Sequence, residues 1–187
     1  MQKHLTVYSP YTVQLQQHHF FQKQTNDCGP CVIATVNNAL QTHPFHFNTL
    51  AQALNRYTSK RLPPDRLANS ATFPWGMVRI LRQLGFSARW RLWAKPKDLQ
   101  RLSTPGLILV TITGQWSPLW AHYMLLVALD SQRGLGFINP ALPQAEIDWR
   151  PQAQFDKEWG AFGRQLVEIR VNPHSYLDKS NSSVTGQ

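Results

Sequence analysis

The apolar residues in the N-terminal part of the chain recur at helical spacing. After residue 28 they return every three or four positions, at Val32, Ile33, Val36, Ala39 and Leu40. That period is typical of a helix with a buried face. We predict that the helix begins at Cys28, because Asp27 can cap its first turn and Pro30 stands where proline is tolerated.

Two further helices are predicted downstream by the same period. One spans residues 48–57, with Asn48 as its cap, and carries apolar side chains one turn apart. The other spans residues 75–84 and ends before Gly85, which can take the left-handed conformation that closes many helices. The first part of the fold is therefore predicted to be mainly helical.

Beyond Gly85 the apolar period falls from about four residues to two. A short helix is predicted at 97–102, and extended runs occupy residues 86–92, 106–113, 122–129, 135–139 and 164–171. Alternating and β-branched runs separated by turn residues are typical of strands. Helices first and strands later indicate an α+β fold, in which an antiparallel sheet packs on N-terminal helices.

Length and composition indicate one globular domain. The 187 residues suffice for a single substantial core, which we place at residues 1–171. The segment 172–187 is polar and rich in Ser and Asn, so we expect a flexible tail. No apolar run reaches the roughly 18 residues of a membrane span, and the N-terminus lacks a secretory apolar region. A cytoplasmic location is therefore expected.

The charge of the chain is strongly basic. Nineteen Lys and Arg against 10 Asp and Glu give a net charge of +9, which favours acidic partners such as nucleic acid, an anionic membrane or an acidic peptide. The basic residues are scattered in pairs, however, and form no run of five or more. Nucleic-acid binding is therefore not expected as the main function.

The two cysteines, Cys28 and Cys31, are too few for a disulfide framework or a zinc site. Either they form a redox pair, or one is a nucleophile and the other packs in the core. At a helix N-terminus, a thiol faces the positive end of the helix dipole, so we expect the pKa of Cys28 to lie below its ordinary value. Cys-Gly-Pro-Cys is also the thioredoxin motif, although the polar residues before it do not predict the core strand that thioredoxins place there.

A catalytic cysteine needs a base, and the base needs a residue that orients it. His122 opens a strongly apolar strand, and Asn139 ends the next strand 17 residues later. Antiparallel pairing of these strands would bring the two side chains together, with the Asn carbonyl accepting from the imidazole. Gln22, six residues before Cys28, could join the Cys28 backbone N–H in binding an oxyanion.

These residues, in this order, resemble the bacteriocin-processing peptidase family. The resemblance rests on Gln22, the run from Asp27 to Pro30, His122 with Tyr123, and Asn139 with Pro140. Residues 71–90 also resemble a family segment, and Phe155 and Trp159 resemble the family's closing helix, so the likeness extends over about residues 18–171. It implies a papain-like cysteine peptidase with Cys28, His122, Asn139 and Gln22 as site residues and no cofactor. Members of this family cleave leader peptides after a double glycine.

Three features depart from the family pattern. Asn139 stands where the family usually carries Asp, although papain itself uses Asn. The segment 114–121 is longer than usual and carries Trp116 and Trp120, which could reshape the cleft. Trp90, Trp93, Trp116 and Trp120 are expected chiefly in the core, although Trp116 or Trp120 could form a wall of the cleft. No transporter follows the peptidase region, whereas family members usually precede an exporting ABC transporter. We therefore expect a stand-alone domain whose partners are a peptide or protein substrate and a separately encoded exporter.

Other functions remain open on the same residues. Papain-like sites also support deamidase, transpeptidase and isopeptidase reactions. Some relatives have lost the cysteine and only bind peptides, and thiol–disulfide exchange through Cys28 and Cys31 is a further alternative. Leader-peptide processing is the function that the resemblance favours, and the sequence alone does not name the substrate.

Overall fold

The computed structural model describes residues 5–40, 64–67 and 70–171, and within them a seven-stranded sheet with helices on both faces. The strands are β1 Thr6–Tyr8, β2 Ser87–Arg91, β3 Leu107–Trp116, β4 Leu119–Asp130, β5 Gly134–Ile138, β6 Asp148–Arg150 and β7 Gln165–Arg170. The helices are α1 Thr12–Gln17, α2 Cys28–Leu40, α3 Pro74–Gln83, α4 Pro96–Leu99 and α5 Gln152–Ala161, with a 3₁₀ turn at Gln100–Ser103. The predicted α+β class is confirmed.

The sheet is antiparallel throughout and buried on both faces. Its strands lie in the order β2-β7-β3-β4-β5-β6, and β1 pairs with the far end of β4. Alternate residues of β3 point to opposite faces, as the period of a strand requires. Val110 and Ile112 contribute to one core cluster with α2 and α3, whereas Leu109 joins Phe155 and Trp159 of α5 in the other.

The helix α2 begins at Cys28, as predicted, and is the central helix of the fold. All of its 13 residues except Asn38 are buried. A helix that is apolar on all sides must lie inside the protein. It packs on β4 through the same core cluster, in which Ile33 and Val36 accompany Leu125 and Val127. Its N-terminus, and Cys28 with it, is therefore fixed against the sheet.

The helix α3 agrees closely with its prediction. It starts with Pro74 in the first helical position and ends just before Gly85, whose φ of +88° is the left-handed value that glycine adopts readily. The predicted helix at 97–102 is divided into α4 and the 3₁₀ turn. The predicted helix at 48–57 lies outside the described residues.

The hairpin of β3 and β4 is longer than the sequence indicated. The predicted apolar runs 106–113 and 122–129 continue to Trp116 and Leu119, which pair across the end of the hairpin. The peptide bond between Ser117 and Pro118 is cis. The segment 114–121, expected as a lengthened stretch before His122, is thus the end of a regular hairpin. No helix in the described ranges is both long and apolar enough to cross a bilayer.

Candidate active site

Cys28 is the first residue of α2, and its side chain is buried against the start of β4. Backbone N–H groups of Tyr123, of Gly29 and of Cys28 itself lie within hydrogen-bonding range of the sulfur. Tyr123 follows His122 directly in β4. The fold therefore brings the thiol to the strand position beside the predicted base.

Burial has the largest effect on the pKa of the Cys28 thiol. Removal from water raises the pKa of Cys28, and the N–H groups of Tyr123 and Gly29 and the charge of Arg66 oppose that rise without cancelling it. The expectation of a pKa below the ordinary value was therefore wrong, because the helix N-terminus that stabilises a thiolate is itself buried. At neutral pH the resting side chain is a thiol, and a base must take its proton.

His122 and Asn139 form a hydrogen bond of 2.7 Å between Nε2 and Oδ1. The orientation of the Asn139 amide follows from its other bonds: Oδ1 also accepts the N–H of Ala141 at 2.9 Å, and Nδ2 donates to Asp148 Oδ2 at 2.8 Å. Nε2 of His122 is therefore the donor in its bond to Asn139. This tautomer leaves the lone pair on Nδ1, where a base can accept a proton.

The surroundings of His122 favour the neutral imidazole. Burial lowers its pKa, and the positive charge of Arg150 lowers it further. The hydrogen bond to Asn139 and the charge of Asp148 act in the opposite direction and do not restore the ordinary value. A neutral imidazole at neutral pH is the form that a general base requires.

The meeting of His122 and Asn139 follows from strand register. β4 and β5 pair with Leu125 opposite Ile138, so the residue after β5 lies beside the start of the buried part of β4. The loop before α2 covers this end of the sheet, because His19 Nε2 bonds to the Asn139 carbonyl at 3.1 Å. The predicted proximity of His122 and Asn139 is thus present in the structure.

Gln22 lies near these residues but does not point its amide at Cys28. Its backbone N–H donates to the Pro140 carbonyl at 2.8 Å, which places it beside Asn139. Its side-chain Nε2 donates to the carbonyl of Thr25 at 3.0 Å, and its Oε1 is buried without a partner among the described residues. To serve as an oxyanion donor, the Gln22 side-chain amide would have to break its hydrogen bond to the Thr25 carbonyl and donate to the substrate oxygen instead.

A close contact explains the glycine that follows Cys28. A Cβ atom on Gly29 would lie 2.7 Å from the side chain of Thr72, nearer than any real contact of this kind. The hydroxyl of Tyr123 donates to the Thr72 carbonyl at 2.8 Å. The segment at Thr72 therefore packs directly on the first turn of α2, and only glycine leaves room for it.

Arg66 is a neighbour of the site that the sequence did not indicate. Its side chain is 0% exposed and forms an ion pair with Asp27, the residue before Cys28. A second nitrogen of the guanidinium, Nη1, donates to Thr72 Oγ1 at 3.4 Å. The carboxylate of Asp27, expected as a helix cap, thus pairs with a buried guanidinium. No local pattern marks a buried arginine, because its burial depends on the tertiary fold.

Cys31 lies one turn further along α2 and is fully buried. Burial raises the pKa of its thiol well above the ordinary value, and the negative charge of Asp27 raises it further. Both cysteines are free thiols. Because the Cys31 side chain has no exposed surface, a substrate cannot reach its thiol, and this position agrees with the predicted packing role.

Comparison with known proteins identifies the fold. No family model and no curated protein match the sequence. Among solved structures, the peptidase domain of Streptococcus ComA, a bifunctional ABC transporter involved in quorum sensing, matches with a TM-score of 0.57 and 18% identity over 82% of this chain and 97% of that domain. A C39-like peptidase from Bacillus anthracis matches with a TM-score of 0.63 and 14% identity over 90% and 98%. The fold is that of a papain-like peptidase.

A third match is also a papain-like peptidase. This double-glycine-motif protease from an AMS/PCAT transporter, solved in complex with its leader peptide, has a TM-score of 0.54 and 13% identity over 82% of this chain and 90% of that one. Identities of 13–18% establish a shared fold and leave function to the site itself. In the papain-like fold of this chain, the evidence for chemistry is the arrangement around Cys28 and His122.

Proposed function

We propose that the chain is a cysteine peptidase that hydrolyses peptide bonds with Cys28 as nucleophile and His122 as base. One observation carries the proposal: the Cys28 sulfur lies at the N–H of Tyr123, beside a His122 whose Nε2 is bonded to Asn139 at 2.7 Å. That bond directs the Nδ1 lone pair away from Asn139 and keeps it free for the thiol proton. Nucleophile, base and orienting group are the three parts that acyl transfer requires.

Acylation follows from this arrangement. Nδ1 of His122 takes the thiol proton as the Cys28 sulfur attacks the carbonyl carbon of the scissile bond, and the carbonyl oxygen becomes negatively charged. The backbone N–H of Cys28 and the side-chain amide of Gln22, once freed from Thr25, donate to that oxygen. Collapse breaks the C–N bond, and the leaving amine receives the proton from His122. A thioester on Cys28 and a free amine result.

Hydrolysis of the thioester reverses the roles. His122 takes a proton from water, whose oxygen attacks the thioester carbon, and the same donors hold the oxyanion. The C–S bond then breaks, the Cys28 sulfur recovers its proton from His122, and the carboxylic acid leaves. Asn139 holds the imidazole in one tautomer through both half-reactions. The cycle consumes one water and needs no cofactor.

A leader peptide is the substrate class that we propose. Of the papain-like structures that the chain resembles, one is a double-glycine-motif protease in complex with its leader peptide. A peptide with two glycines before the scissile bond has little side-chain bulk near Cys28, which is only 8% exposed. The substrate proposal therefore favours small residues before the cleaved bond.

The proposal can be tested on the purified protein with two measurements. Iodoacetamide at neutral pH is expected to modify Cys28 before Cys31, as fragment-ion mass spectra of the peptide containing both will show. A panel of leader-like peptides, with Gly-Gly or Ala-Leu before the bond, is expected to be cut after Gly-Gly. Equal alkylation of the two thiols, or no cleavage of any peptide, would contradict the peptidase assignment. Cleavage after Ala-Leu alone would contradict only the substrate class.

We expect a pH profile of peptide hydrolysis whose acid limb lies below the ordinary imidazole pKa of about 6.5. Catalysis needs neutral His122, and burial lowers the pKa of that group in the folded protein. Activity should therefore persist as pH falls through 6.5 and be lost at the lower, folded-state pKa. The measurement is kcat/KM against pH, which reports groups in the free enzyme.

Two substitutions shift this acid limb in opposite directions. Asn139→Asp adds a negative charge beside His122, raises the imidazole pKa and moves the limb to higher pH. Asp148→Asn removes a charge that raises the pKa of His122, so the limb moves to lower pH. Glu146→Gln is a matched control on the exposed loop before Asp148. An acid limb that stays fixed in both variants would show that His122 does not control it.

A further inference from the structure

Five apolar side chains at one corner of the molecule form what we name the corner patch: Leu92, Trp93, Trp116, Leu119 and Phe162. Exposed fractions of 73% for Trp93, 69% for Trp116 and 68% for Leu119 show that these side chains project into solvent. The expectation that the tryptophans lie chiefly in the core was therefore wrong for Trp93 and Trp116. Clustered exposed apolar groups mark interaction sites more often than single ones.

The corner patch is built from three loops that contact one another. The Trp116 ring stacks on Phe162 with centroids 4.9 Å apart, and its Nε1 donates to the Ala161 carbonyl at 2.6 Å. A Cβ atom on Gly163 would lie 3.7 Å from the side chain of Trp93. The end of the β3–β4 hairpin, the loop after β2 and the turn between α5 and β7 thus form one continuous surface.

The backbone holds Trp93 outward at a conformational cost. Its φ is +58°, a region that bulky residues rarely adopt, and its N–H donates to the Gly163 carbonyl at 2.8 Å. A burial role could not explain this conformation, since the ring stays mostly in solvent. Strain held in place at an exposed aromatic side chain points to a function for that side chain.

The exposed charged residues in the segments that carry the corner patch are basic, and Asp98, which follows Lys97, is buried and bonded to Arg91. Residues 92–97, 114–120 and 161–165 contain no Asp or Glu, and they carry Lys95, Lys97 and Arg164. All three basic residues are exposed. Since the whole chain carries a net charge of +9, the field near this corner attracts anions from some distance.

We propose that the corner patch docks the protein on an anionic lipid bilayer. Tryptophan and leucine side chains that project from the protein surface suit the headgroup boundary of a bilayer. The lysines and arginine around them meet acidic headgroups. The patch consists of projecting side chains rather than a groove, and this shape fits a flat lipid surface better than an extended peptide.

Docking at this corner would hold the candidate active site close to the lipid. His122 pairs with Thr113, and the tip pair of Trp116 and Leu119 lies three residue pairs further along the hairpin. That spacing is about 10 Å along a strand. A substrate held at the same membrane would thus reach the site without leaving the surface. The docking itself does not depend on whether the chain is a peptidase.

The test is co-sedimentation of the full chain with vesicles of phosphatidylcholine alone or mixed with phosphatidylglycerol. We expect binding to the mixed vesicles, a blue shift of tryptophan emission on binding, and weakening by salt. Lys95→Gln with Lys97→Gln should lower the partition coefficient about 30-fold. Leu119→Asp should lower it at least about tenfold. The matched control is Val13→Asp, since Val13 is similarly exposed at 61% but lies on α1.

Several outcomes would overturn the proposal. Absence of binding to mixed vesicles, equal binding to neutral ones, or an equal loss in Val13→Asp would each do so. So would unchanged binding of Leu119→Asp that retains its circular dichroism spectrum. If Leu119→Asp fails to fold, vesicle binding by the variant with Lys95→Gln and Lys97→Gln is the deciding measurement. Both lysine side chains are exposed, so their replacement leaves the core intact. Self-association or capture of an acidic peptide through the patch, without vesicle binding, also excludes the bilayer.

Discussion

Replacing Cys28 with alanine is expected to abolish peptide hydrolysis, with kcat falling about 10⁴-fold or more, as removal of a covalent nucleophile does in other hydrolases. In the proposed reaction the carbonyl carbon must bond to the Cys28 sulfur, and no neighbouring side chain can replace it. The loss should appear in kcat, while KM changes little, because the substrate-binding surface is kept. Steady-state cleavage of the Gly-Gly peptide measures both.

Cys31→Ala is the matched control for this prediction. Cys31 is in the same helix and has the same side chain, but it is fully buried and its thiol pKa is raised strongly. We expect activity within about twofold of the parent, with a modest loss of stability from the cavity. If Cys31→Ala were as inactive as Cys28→Ala, the two thiols would act as a pair. Thiol–disulfide exchange would then replace hydrolysis as the proposed chemistry.

The main helices and strands could be predicted from the sequence because their apolar residues recur with a clear helical or strand spacing. The helix from Cys28 is buried except at Asn38, and β4 is buried from Tyr123 to Ala128, so apolar residues predominate in both. The elements that were missed are β1, α1 and β6, of three, six and three residues. Segments so short contain too few positions to show a period.

Only the part of the candidate site that depends on strand register could be predicted from the sequence. His122 and Asn139 meet because β4 and β5 form a hairpin, and a hairpin fixes which residues lie side by side. The acidity of Cys28 could not be inferred in the same way, since it depends on burial by distant segments. The hydrogen bond from the Gln22 side chain to Thr25 could not be predicted either, because sequence spacing does not show which of several nearby groups the amide will bond.

The positions of the tryptophans are a second feature that the sequence does not predict. Burial of a hydrophobic side chain is energetically favourable, but more than half of a protein's surface is still apolar, so hydrophobicity alone does not show which side chains are buried. Trp159 is fully buried under the sheet, whereas Trp93 projects from the loop after β2 and Trp116 from the end of the β3–β4 hairpin. The sequence difference between them is that Trp159 stands four residues after Phe155, at helical spacing, while Trp93 and Trp116 each lie within three residues of a proline.

Replacing Arg66 with methionine is expected to lower the free energy of unfolding by about 3 kcal/mol, because it leaves the largely buried carboxylate of Asp27 without its partner. Urea denaturation measures the change through a shift of the midpoint at constant slope. Arg89→Met is the control: Arg89 is 53% exposed, and Glu168 keeps its bonds to Arg91 and Arg101. Its loss should cost less than about 1 kcal/mol.

The double variant Arg66→Met with Asp27→Asn separates the stabilising role of Arg66 from its effect on Cys28. Removing both charges leaves no unpaired ion, so much of the lost stability should return. The charge of Arg66 also lowers the pKa of the Cys28 thiol, and that effect is absent from both variants. Alkylation of Cys28 at fixed pH should therefore stay slower than in the parent after stability recovers. If alkylation recovers together with stability, Arg66 only supports the fold; if it stays slow, the buried guanidinium also tunes the nucleophile.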